Sequence, residues 1–176
     1  MSSRIDVPWP GGDAEGGHLE GWAAWAEHVR ALLAMAETQS ASLICLDEDF
    51  EHWPLGERAC VASLEQWALA SRHSQCHMLA LDWSKVGRRH PRWVQWRTPW
   101  GHRVHCRQMS EDEQSSLQVF RPLLVLQGVM GLRMLDNERG IAVWSRRPAV
   151  LAEWWHEGDA ILQRSHEAMP VTTLGL

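Results

Sequence analysis

Two short apolar runs, each ending in an acidic residue, bracket an amphipathic segment: SLICLD at 42–47, LGERACVASLEQWALASR at 55–72 and CHMLALD at 76–82. No other feature constrains the fold as strongly. A short apolar run bounded by polar residues suits a strand buried on both faces. The segment between the runs repeats its apolar positions Cys60, Leu64, Trp67 and Ala68 at helical period. Strand, helix, strand predicts a parallel βαβ unit, because parallel strands need a crossover of about a dozen residues or more. Such a sheet carries helices on it, which makes the expected fold class α/β.

The remaining segments extend this pattern. Residues 1–18 are rich in Gly, Pro and Asp without periodicity and read as a flexible arm. From about Leu19 a helix is expected, with Trp22, Trp25, Val29, Leu32, Leu33 and Ala36 on one arc. SKVGRRHPRWVQWRTPW, 84–100, reads as helix in two pieces, because Pro91 lacks an N–H and suits the first turn of a new helix. HRVHCRQM, 102–109, reads as a third strand, and EDEQSS, 111–116, as a polar loop. VFRPLLVLQ, VMGLRML and GIAVW, separated by Gly128 and by the turn-rich DNERG, predict antiparallel strands. A helix over 148–166 closes the chain, with Gly158 in its packed face allowing close approach. At 176 residues, the expectation is one domain over 19–176. Its mixed sheet is parallel in the N-terminal half and antiparallel in the C-terminal half.

No apolar run approaches the ~20 residues of a membrane span, and the N-terminus lacks the apolar core of a secretory signal. The cytoplasm is the default location. Cys45, Cys60, Cys76 and Cys106 are scattered with no CxxC pair, as expected of small buried hydrophobes in a reducing compartment. Alternation places Cys76 and His77, and likewise His105 and Cys106, on opposite faces of their strands, which argues against a metal site. GxSxG, GxxxxGK[ST], HExxH and GxGxxG are all absent. No cofactor is implied.

Charge is concentrated. Between Trp83 and Ser110 there are seven basic residues and no acid, while the other ten basic residues share the rest of the chain with all 22 acids. A positive island on an acidic protein disfavours general affinity for nucleic acid and favours a local anion site. The candidate anion-binding residues are Arg88, Arg89, Arg92, Arg97, His102, Arg103 and Arg107, since guanidinium groups grip phosphate or carboxylate bidentately. Ion pairing with the protein's own acids is the competing account. Trp93, Trp96 and Trp100 share a helical arc and are expected in the core rather than on a base-stacking platform. A second candidate set is Asp47, Asp49 and Asp82, placed at strand ends where open α/β sheets bind ligands. LICLDEDF resembles the start of haloacid-dehalogenase-type phosphohydrolases, which implies an aspartate nucleophile and Mg²⁺. Turn and helix-capping roles for these acids compete with that reading.

The element order through LICLDEDFEHWPLGERACVASLEQWA, the second strand and RRHPRWVQWR resembles a phospholipase D-like unit. LRMLDNERGIAVWSRRPAVLAEWWHEGDAIL resembles the closing half of such a unit. The chain also resembles proteobacterial proteins with the same HPRW and WPLG signatures, a likeness that implies no activity. Phospholipase D-type chemistry needs a histidine nucleophile with a lysine two residues later. The only lysine here is Lys85, and Trp83 stands two residues before it, so no HxK exists. The expectation is a degenerate, non-catalytic module that binds a small anion or a partner protein through 88–107. The alternatives are a metal-dependent phosphohydrolase and an assembly subunit without ligand. A second copy of the chain is among the partners that fit.

Overall fold

The computed structural model describes residues 8–171. Residues 1–7 of the expected arm, and 172–176, lie outside it. In chain order the elements are β1 (Gly16–Glu20), α1 (Trp22–Ala36), β2 (Leu43–Asp47), α2 (Arg58–Ala70), β3 (Cys76–Ala80), α3 (Val86–Arg89), α4 (Pro91–Arg97), β4 (Val104–Met109), α5 (Glu111–Ser116), β5 (Leu123–Leu126), β6 (Met130–Asp136), β7 (Ile141–Ser145), α6 (Pro148–Gln163) and β8 (Ser165–Glu167). The strands form one sheet in the order β1-β7-β6-β5-β2-β3-β4-β8. β2, β3 and β4 run parallel, and every other neighbouring pair is antiparallel. This is the expected mixed sheet, parallel through the βαβ unit and antiparallel through the later hairpins.

The alternation of side chains divides the core in two. Leu43, Cys45, Cys76, Met78, Leu124 and Leu126 point to one face, which is covered by α1, α2 and the α3–α4 pair. Ile44, Leu46, Leu79, Leu123 and Val125 point to the other, where α6 packs with Leu151, Trp154 and Leu162. All five residues of β2 are buried because both faces above it are covered. Gly158 lets α6 sit close to the sheet, since a Cβ there would stand 3.1 Å from Ile44 Cγ2. The four cysteines are buried and free. Among the described residues, no helix is long and apolar enough to cross a membrane.

Four expectations need correcting. Residues 16–18, expected in the flexible arm, belong to β1, which pairs with β7 from Gly16↔Ser145 to Glu20↔Ile141. Glycine is required there because a Cβ on Gly17 would lie 2.7 Å from Trp144 Nε1. The first helix accordingly starts at Trp22 rather than near Leu19, after Gly21 turns the chain at φ +89, where L side chains are strained. The loop expected at 111–116 is α5, opened by Ser110 accepting a hydrogen bond from Glu113 N. SEDE has the spacing of a capping box, and its acids sit at the positive end of the helix. Finally, the last helix stops at Gln163, and Ser165–Glu167 instead pairs with the edge of β4.

Candidate functional site

The basic island does not assemble into one site. Arg103, at the start of β4, is only 5% exposed. Its Nε and Nη2 donate to Ser74 O at 3.0 and 2.9 Å, and its Nη1 donates to Ala68 O at 2.6 Å. Its guanidinium lies 5.0 Å from the Trp67 ring centroid and 5.7 Å from that of Trp100. Arg97 is also buried, donating to Val104 O and Met169 O. Arg107 donates to Ser165 Oγ and O, which ties β4 to β8. These three guanidiniums serve carbonyls that the ladders and the last turn of α2 leave unpartnered, where an unmade hydrogen bond is costly. Internal pairing does consume much of the island, but chiefly with backbone carbonyls rather than with the protein's acids.

The exception is Arg89, whose Nη1 meets Asp49 Oδ2 at 2.9 Å and whose Nη2 approaches Glu51 at 3.8 Å. Arg92 is exposed and donates to Gly56 O. Arg88 and His102 are exposed. Arg103 reaches backbone at the amino ends of the parallel strands, whereas Arg89 meets Asp49 beyond their carboxyl ends. The seven candidates therefore span the sheet from end to end. Trp93 is fully buried and stacks on Trp83 at 6.2 Å, as expected of core. Trp96 and Trp100 are half-buried, and their indole N–H groups both donate to Glu65 Oε2.

The carboxyl edge of the parallel strands carries the more unusual geometry. Asp47 ends β2 and is 5% exposed. Its Oδ2 accepts from Phe50 N at 2.6 Å and Asp49 N at 3.4 Å, and Phe50 adopts φ +57. Burial pushes the Asp47 carboxyl up to about 7, against the pull of those N–H groups. Asp49 accepts from Glu51 N and pairs with Arg89, while the exposed Asp82 accepts from Ser84 N. The three acids act as turn caps, and among the described residues no three His, Cys, Asp or Glu side chains are grouped to hold a metal.

His90, which sequence reasoning did not single out, locks this edge. Its Nδ1 accepts from Gly56 N at 3.1 Å and its Nε2 donates to Phe50 O at 2.8 Å, which fixes the neutral ring with its proton on Nε2. Burial holds its pKa below the ordinary imidazole value. The signal in the sequence was the HPRW motif itself: a histidine immediately before the proline that opens α4. On the opposite sheet face, His77 and His105 stack at 5.1 Å, turned away from Cys76 and Cys106 as alternation requires.

No protein-family model matches the chain, and no curated protein matches it. Solved structures do. TrmBL2, an archaeal chromatin protein with a novel mode of DNA binding, superposes with a TM-score of 0.61 at 11% identity over 93% of this chain. The chain spans 57% of the length of TrmBL2. Nuc from Salmonella typhimurium, a phospholipase D family member, gives a TM-score of 0.53 at 10% identity over 88% of this chain and 99% of its own. NucT from Helicobacter pylori gives 0.51 at 6% identity over 87% of this chain and 98% of its own. At these identities the likeness concerns architecture. The chain is a single α/β unit with the phospholipase D-like fold, and it has no HxK.

Proposed function

We propose that this chain is a non-catalytic module of the phospholipase D-like fold that docks an acidic surface of a partner protein through Lys85, Arg88 and Arg92. One observation carries the reading: these three cations are exposed, and among the described residues none has a carboxylate partner. Arg92 also donates to Gly56 O, which leaves its charge unneutralised, and the remaining arginines of the island, Arg89, Arg97, Arg103 and Arg107, are committed to internal hydrogen bonds or to Asp49. Lys85, Arg88 and Arg92 lie within the short stretch 85–92 around the break between α3 and α4, and they line no described cavity. An open cationic surface suits a partner's acidic face better than an enclosed phosphate. Nucleic acid fits less well. DNA-binding proteins typically neutralise many phosphates, whereas here three exposed cations without a carboxylate partner among the described residues stand on a chain of net charge −5. The absence of HxK supports the non-catalytic part, because the fold's usual nucleophile and its lysine are both missing.

The test is fluorescence anisotropy with a labelled oligoglutamate peptide at low salt. Binding should weaken steeply as salt is raised, and Lys85→Ala, Arg88→Ala, Arg92→Ala in combination should abolish it. Equal binding by the triple variant, or a response to inorganic phosphate but not to the peptide, would overturn the reading.

A further inference from the structure

Where the sheet changes from its parallel to its antiparallel half, β2 and β5 lie side by side and run in opposite directions. From the carboxyl end of β2 the chain leaves for α2 on one face. The segment 117–122 that leads into β5 packs on the other, where Leu117 and Phe120 join the core beneath α6. Connections that part in this way open a crevice at the sheet edge, the usual place for a ligand in α/β folds. A cavity of about 350 Å³ lies there, between residues 117–121 and α6.

Most of its lining is apolar. Leu46 comes from β2, Leu123 from β5, Leu117, Val119 and Phe120 from the connecting segment and Ile161 from α6. Leu46 and Leu123 are buried whereas Val119 is 61% exposed, so the apolar surface runs from the core out to solvent. Three lining residues are charged. Arg133 and Glu157 pair with each other, but Arg121 is exposed and has no carboxylate partner among the described residues. The lining therefore sets one unmatched positive charge beside an apolar wall. A cation would be repelled by Arg121, and a bare phosphate would leave the apolar wall in water.

We infer that this cavity binds a small free carboxylate with an apolar body, its carboxylate held by Arg121 and its body laid along Leu117, Phe120 and Ile161. A guanidinium matches a planar carboxylate with two parallel hydrogen bonds, and the body removes apolar surface, Val119 included, from water. At roughly 30 Å³ for each water-sized group, the cavity admits on the order of ten of them, the bulk of a medium-chain or phenyl-substituted alkanoate. It falls at the lower end of the roughly 300–1,000 Å³ typical of small-molecule sites. The cavity lies on the opposite face of the sheet from α3 and α4, so the inference stands apart from the docking surface of Lys85, Arg88 and Arg92.

Calorimetric titration of the full chain tests it. The probes are phenylbutyrate and octanoate, with phenylbutyramide lacking the charge and acetate lacking the apolar body. At least one of the two alkanoates should bind, the amide should bind roughly tenfold more weakly than its acid, and acetate should not bind measurably. Arg121→Gln keeps most of the stem and removes the charge, and should weaken binding roughly tenfold. Val119→Asp sets a like charge on the wall and should weaken it as well. Both positions are exposed, so neither substitution threatens folding. Amide shifts of the ¹⁵N-labelled protein on binding should cluster at 117–123 and 157–161. No binding by either alkanoate, an amide that binds as tightly as its acid, affinity unchanged in both variants, or shifts centred on α3 and α4 would overturn the assignment.

Discussion

Replacing Asp47 by asparagine isolates the strongest electrostatic statement the fold makes. The amide is nearly the size of the carboxyl, and its oxygen still accepts from Phe50 N, so the turn after β2 is preserved. What disappears is a buried ionisable group whose pKa rises from 3.8 to about 7 on folding. Below pH 3.8 both folded and unfolded chains carry the proton, and the stability this group contributes is fully present. As pH rises towards 7 the unfolded chain ionises first, and that stability is lost at about 1.4 kcal/mol per pH unit. The loss totals about 4 kcal/mol above pH 7, an order-of-magnitude figure. The Asn variant should therefore match wild type near pH 4 and exceed it by up to about 4 kcal/mol at pH 8, a shift of roughly 2 M in urea midpoint. Urea titrations followed by tryptophan fluorescence from pH 4 to 8.5 would measure this directly on a chain with twelve tryptophans. A stability difference that does not change with pH, or an Asn variant less stable than wild type at pH 8, would refute the reasoning.

Arg103→Met should cost about 3 kcal/mol or more, because it strips donors from Ser74 O and Ala68 O inside the protein, and Arg103→Lys should recover only part of it. Chemical denaturation would show this, with Arg88→Ala as a control expected within about 0.5 kcal/mol of wild type. Gly17→Ala should destabilise by about 1–3 kcal/mol by driving a methyl into Trp144, and hydrogen exchange should show β1 losing protection before the centre of the sheet. Neither bis(p-nitrophenyl) phosphate nor the monoester p-nitrophenyl phosphate should be hydrolysed by the purified protein with or without Mg²⁺, and Mg²⁺-dependent turnover of the monoester that disappears in Asp47→Asn would favour the phosphohydrolase reading instead.

The parts of the fold that could be read from sequence are those where local chemistry and tertiary packing agree. β2, α2 and β3 declare themselves because a doubly buried strand must be apolar along its length and a helix packing on one side must alternate at 3.6 residues. β1 and β8 do not. In β1 only Leu19 is buried, and the glycines that looked like a flexible arm are there to pass beneath Trp144. The three residues of β8 are too short to show any period. At the basic island, the tryptophan stripe was legible as core only in part: Trp93 lies fully inside, while Trp96 and Trp100 are half-buried against it. The arginines were not legible, because their partners are carbonyls, which every residue carries and no composition marks. The lock on the turn after β2 was least visible of all. Asp47 was noticed at its strand end, but His90, whose ring donates to Phe50 O in the turn that Asp47 caps, came from a stretch that read only as a helix start. Only the fold brings them together.

The docking surface admits one direct measurement: amide chemical-shift mapping of the ¹⁵N-labelled protein with an oligoglutamate peptide. The account predicts shifts confined to 84–93 on α3 and the start of α4, with no change at His102, Arg103 or the β4–β8 edge. Shifts centred on residues 102–107, or spread along the sheet without involving Lys85, Arg88 and Arg92, would contradict it.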